Sequence, residues 1–112
     1  MQLKFYTLDV FTETRFGGNP LAVVMNADAL PAGLMQSIAR ELNLSETVFV
    51  QKATNPAAWA RVRIFTPAVE LPFAGHPTIG TGILLAQLRA GEASPDQDAL
   101  VVLEETIGAV RV

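Results

Sequence analysis

Residues 77–90, PTIGTGILLAQLRA, constrain the fold more than any other stretch of the chain. From Thr78 to Leu88 the one strongly polar side chain is Gln87. Pro77 lacks an amide hydrogen and has a preset φ, which suits the first helical position. Arg89 in the last turn and Gly91 after it are stop signals. The pattern predicts a helix from Pro77 to about Ala90. A helix apolar on all faces must be surrounded by protein. No apolar run here approaches the ~18 residues of a membrane span, so the rest of the chain has to supply the surroundings. Gly75, Gly80 and Gly82 are expected to let strands approach closely.

Strands are what the chain offers for this. Residues 2–10 read as one, with Leu3, Phe5 and Thr7 on one face and Tyr6, Leu8 and Val10 on the other. FGGNP, residues 16–20, reads as a loop in which Pro20 holds Asn19 extended. LAVVM (21–25), SETVFVQ (45–51) and WARVRIF (59–65) read as strands, Arg61 and Arg63 lying on a wetter face than Val62 and Ile64. ATNPAA (53–58) is a turn and GEASPDQD (91–98) a polar loop. Residues 99–105 and 107–112 read as two strands joined tightly at Thr106. A second helix starts with Pro31 in its first turn and carries Leu34, Ile38 and Leu42 on one face. The expected class is α+β: one small domain, with a mixed, barrel-like sheet wrapped around a central apolar helix.

Composition narrows the function. The 112 residues fit one domain, and half of them are apolar. A net charge of −3 with no run of Lys or Arg argues against nucleic acid as a partner. No cysteine is present, so thiol catalysis and disulfides are excluded, and with a single histidine a zinc site is not expected. The N-terminus does not resemble a signal peptide, and a cytoplasmic location is expected. Val112 ends the chain within strand-like sequence, which fits a part of something larger.

Two constellations can carry chemistry. In GHPT, residues 75–78, a helix starting at Pro77 makes His76 its N-cap. The amides of Thr78, Ile79 and Gly80 would then be unpaired, a receptive end for a carboxylate. A cationic histidine is disfavoured there, so His76 is expected to be neutral at physiological pH. It could donate a hydrogen bond, shuttle a proton, or simply cap the helix. In SETVF, residues 45–49, Glu46 heads a face shared with Val48 and Val50. A partly desolvated carboxylate suits general acid/base work, and a solvated strand-end glutamate is the plainer alternative. Asn19 is a ligand-facing amide or a turn residue. Glu70 orients His76 or is a surface charge. Asp9 and Ser45 have nothing local that demands a role.

FGGNPLAVV (16–24), ELNLSETVFV (41–50) and RIFTPAVELPFAGHPTIGTG (63–82) together resemble the phenazine-biosynthesis PhzF-like family of isomerases, in order and over nearly the whole chain. The resemblance implies the diaminopimelate-epimerase fold, in which two similar domains each wrap a sheet around a central helix and the site lies between them. It implies acid/base proton transfer on a small carboxylate-bearing substrate, without metal or pyridoxal cofactor. Glu46 matches the family's acid/base carboxylate and His76 the histidine lining the cleft. Gly75 and the helix start at Pro77 and Thr78 match the donors to the substrate carboxylate, and Asn19 matches a substrate-side polar residue. The absence of cysteine agrees with this branch; the thiol-using branches place their first thiol where this chain has Ala74. The chain supplies one domain of the two. A second half or a homodimer is therefore the expected partner, and the chain alone is expected to be a poor catalyst. The competing expectation is a non-catalytic module that binds small acids or serves in assembly.

Overall fold

The computed structural model describes residues 4–10, 19–54, 57–90, 102–105 and 108–111. Along the chain run β1 (Phe5–Val10), β2 (Asn19–Val24), α1 (Ala32–Leu42), β3 (Glu46–Gln51), β4 (Ala60–Phe65), β5 (Glu70–Leu71), α2 (Gly75–Ala90), β6 (Val102–Glu105) and β7 (Gly108–Arg111). The strands form one mixed sheet in the order β1-β2-β3-β4-β6-β7, with β5 also on β4. The β2–β3 and β4–β6 pairs are parallel and the others antiparallel. One edge of β4 is shared. Its Ala60 and Arg61 pair with Leu103 and Glu104 of β6, and its Ile64 and Phe65 pair with Leu71 and Glu70 of β5.

Strand alternation sends side chains to two faces, and each face takes a helix. Leu21, Val23, Val48, Val50, Val62, Ile64 and Leu103 form a core with Leu84 of α2, against which Tyr6 and Ala74 also pack. Helix α2 lies along β1, β2, β3 and β6. On the other face, Val24, Phe49 and Phe65 pack with Met35 and Ala39 of α1. The Phe49 and Phe65 rings meet edge to face, 5.4 Å between centroids. The class is therefore α+β with a mixed sheet, as expected.

Three expectations need correction. Asn19 and Pro20 belong to β2, not to a loop, because β1 supplies partners as far as Val10 opposite Asn19. On α1, Met35 and Ala39 are the buried residues and Leu34 is exposed. The stripe of Met35, Ile38 and Ala39 meets the sheet, and Pro31 is the N-cap, its carbonyl accepting from the amides of Leu34 and Met35. Helix α2 is not enclosed on all sides. Pro77, Thr78, Thr81 and Leu84 are buried, whereas Ile79, Ile83 and Leu88 are exposed. Within the described residues the sheet covers one side of this helix. The expected loops at 16–18 and 91–98, Asn55 and Pro56 of the expected turn, the start of the first strand, the stop at Gly91 and the junction at Thr106 lie outside the described residues.

Candidate active site

Glu46 is the first residue of β3 and is partly buried. It pairs in register with Leu21 and lies one residue beyond the Thr47–Phe65 pair that β3 makes with β4. Alternation places it on the face of Val48 and Val50, the side of the sheet that carries α2. Since β2 and β3 are parallel, Asn19 at the start of β2 stands at the same end of the sheet. The β4–β5 connection lies at this end. The Thr66 amide donates to the Val69 carbonyl, and the Thr66 hydroxyl oxygen accepts from the amides of Ala68 and Val69.

Gly75 and His76 are the first two residues of α2. The helix starts two residues earlier than the sequence suggests, and the Thr78 amide donates to the Ala74 carbonyl at 3.2 Å. His76 is therefore not the N-cap, and Pro77 is the third helical residue, where a missing amide hydrogen still costs nothing. The unpaired amides expected at Thr78 and beyond shift to Gly75 and His76. Gly75 is exposed, and a Cβ built on it would meet nothing within 4 Å. Among the described residues nothing packs closely on it, so it is not the close-packing glycine expected.

Thr78 and Pro77 are buried against the sheet side of α2. The Thr78 hydroxyl lies 2.7 Å from the Ala74 carbonyl and 2.8 Å from Glu105 Oε2. Sequence reading passed over Glu105. It sits on β6 two residues after Leu103 and is 3% exposed. Its burial raises the carboxyl above the ordinary glutamate value, against an opposing bond from Thr78. The signal was available: in VLEE, alternation puts Glu105 on the same face as the core residue Leu103. Glu70, a candidate to orient His76, is engaged by Arg63; the His76 side chain lies outside the described residues. The guanidinium donates through Nε at 2.8 Å and through a terminal nitrogen at 2.7 Å, a two-point contact that raises the Arg63 pKa. Glu104 accepts from Arg61 and Thr54 on the opposite face from Glu105. No helix among the described residues is long and apolar enough to cross a membrane.

The profile of the phenazine biosynthesis-like protein family matches residues 8–112. The chain belongs to that family. It is 56% identical over 112 residues to an uncharacterized isomerase of Mesorhizobium japonicum, covering 99% of this chain and 36% of that protein. It is 53% identical over 82 residues to the trans-2,3-dihydro-3-hydroxyanthranilate isomerase of Pseudomonas fluorescens, 73% of this chain and 29% of that enzyme. A predicted epimerase from Pseudomonas aeruginosa superposes with a TM-score of 0.83 at 41% identity, covering 96% of this chain and 36% of that one. A hydroxyproline epimerase from Agrobacterium vitis shares the fold alone, with a TM-score of 0.65 at 17% identity over 97% of this chain and 36% of that one. The chain thus spans about a third of the length of the family relatives it matches.

Proposed function

We propose that the chain is the N-terminal domain of a cofactor-independent, PhzF-type isomerase that moves a proton on a small carboxylate-bearing substrate. The observation that carries this reading is the place of Glu46: the head of β3, half-buried, on the α2 side of the sheet. A carboxylate there can take a proton from one carbon and return it to another, or to the same carbon in an epimerisation. The amides of Gly75 and His76 at the start of α2 suit the substrate's carboxylate, which the helix end favours. The His76 imidazole assists proton movement or positioning, and Asn19 at the same sheet end as Glu46 contacts the substrate. Pro77 and Thr78 serve from beneath, by shaping the first turn. In the complete protein the sheet curls further round α2. A second domain or a second copy closes the opposite wall of the cleft, excluding water and supplying the remaining donors.

The test uses the full-length protein in deuterium oxide. The first substrate to try is trans-2,3-dihydro-3-hydroxyanthranilate, named for the relative from Pseudomonas fluorescens. Deuterium should enter a carbon position of the substrate, and Glu46→Gln should abolish that entry while keeping the shape. Exchange that survives in Glu46→Gln removes Glu46 from the role. Binding of small acids without any exchange would identify the non-catalytic module instead.

A further inference from the structure

Glu105 and Thr78 form a buried polar pair whose glutamate has no part in the proton-transfer reading, and their geometry constrains where the hydrogens lie. The Thr78 hydroxyl has one hydrogen and two oxygens within bonding distance, the Ala74 carbonyl at 2.7 Å and Glu105 Oε2 at 2.8 Å. The carbonyl can only accept, so both contacts are satisfied together only if the second hydrogen comes from Glu105. The alternative is an ionised Glu105 taking the Thr78 hydrogen. That would bury a full charge with a single donor, since Glu105 Oε1 is buried with no partner among the described residues.

We propose that Glu105 is a positioning residue held as the neutral acid: it donates to Thr78 Oγ1, Thr78 donates to the Ala74 carbonyl, and this relay fixes the first turn of α2, Gly75–His76, on the sheet. The inference rests on the reading of that turn as the carboxylate-receiving part of the site. Its chemistry stands apart from that reading, because the relay exists with or without substrate. The desolvation that lifts the Glu105 carboxyl agrees with a neutral acid.

The charged groups around Glu105 do not counter this. On β4 and β6, Arg61, Arg63 and Glu104 alternate onto the opposite face, where Arg61 pairs with Glu104 and Arg63 with Glu70. On β7, Gly108 is its register partner and Arg111 is the partner of Val102, three residues away. On α2, His76 precedes Thr78 by two residues. Glu46 shares the face but lies beyond the Phe65 end of β4.

Three measurements on the full-length protein test the relay. Infrared difference spectra of wild type against Glu105→Gln at neutral pH should contain the carbonyl stretch of a protonated carboxylic acid in the wild type; carboxylate bands alone would overturn the proposal. A carboxyl raised in the folded state contributes stability fully below its ordinary value of 4.5 and loses it as pH rises through the folded value. Wild type should therefore lose stability relative to Glu105→Gln as pH climbs out of the acid range, and parallel curves would count against the proposal. Thr78→Val keeps the branched shape and removes the relay hydroxyl. The amides at positions 78 and 79 should then exchange with solvent about threefold to tenfold faster than in wild type, with Glu105→Gln close to wild type because its amide still donates to Thr78. Unchanged exchange in Thr78→Val would sink the positioning role. None of these measurements needs a substrate, so their failure is distinct from a failure of Glu46→Gln to abolish deuterium entry.

Discussion

Gly75 stands at the start of α2 with open space where a side chain would be and no positive φ that would demand glycine. An alanine fits the backbone, and in a helix it is more favourable than glycine by up to about 1 kcal/mol. Gly75→Ala should therefore leave the melting temperature unchanged or raise it. If a substrate carboxylate must reach the amides of this turn, the added methyl stands in its path. The expected result is intact stability with weaker substrate binding, read as a higher KM in the full-length protein. A second residue separates polarity from need. Thr47 is fully buried on the Phe49 face of the sheet, and its hydroxyl has no partner among the described residues. Thr47→Val keeps the branched shape and removes an unsatisfied group, so chemical denaturation should show it neutral or stabilised by about 1 kcal/mol. A loss of stability would mean the hydroxyl has a partner.

At the scale of elements, α1 shows how pattern and packing divide the work. Its apolar residues include Leu34, Met35, Ile38 and Leu42, and more than one line through them has helical spacing. Only the side turned to Phe49 and Phe65 is buried, and that is the Met35 and Ala39 side. Met35→Ala should cost about 2–5 kcal/mol by removing a packed side chain, whereas Leu34→Ala should stay within about 0.5 kcal/mol. Urea titration of the two variants checks the assignment. Periodicity reveals that α1 exists; which line faces inward depends on where the sheet lies, which is not local information. Apart from the two-residue β5, the strands were legible from their sequence patterns, including the wet face of Arg61 and Arg63. Two features near the candidate site were not. The start of α2 moved to Gly75 because the Ala74 carbonyl takes the Thr78 amide, a choice Pro77 permits at more than one position of a first turn. Alternation puts Glu105 on the face of Leu103, but its burial comes only from the helix that covers that face. By contrast, the PhzF-like resemblance was legible because it rests on three separate stretches in order, and the family profile spans the same region.

At the scale of the molecule, the exposed side of α2 is the feature one domain leaves unexplained. Ile83 is 52% exposed and Ile79, one turn before it, is 37% exposed, with Phe73 uncovered just ahead of the helix. A soluble monomer tolerates scattered apolar residues, but a row at helical spacing is a surface prepared for contact. Relatives more than twice the length of this chain have material with which to cover it. Ile83→Lys separates a face that stays open from one that becomes buried. In the 112-residue chain the lysine projects into solvent, and stability should change by no more than about 0.5 kcal/mol. In the full-length protein, if the remainder packs over this side of α2, the same substitution places an ammonium in an apolar contact and removes the isoleucine's burial. A penalty of at least about 1.5–3 kcal/mol is expected there from the lost burial alone. Paired unfolding measurements on both lengths give the answer as a difference of differences, in which the intrinsic helix cost of lysine cancels. A large penalty confined to the full-length protein would show that α2 is a central element whose second side is covered by the rest of the polypeptide. Equal, small effects in both would leave the cleft to be built by the start of α2 and the Glu46 end of the sheet alone.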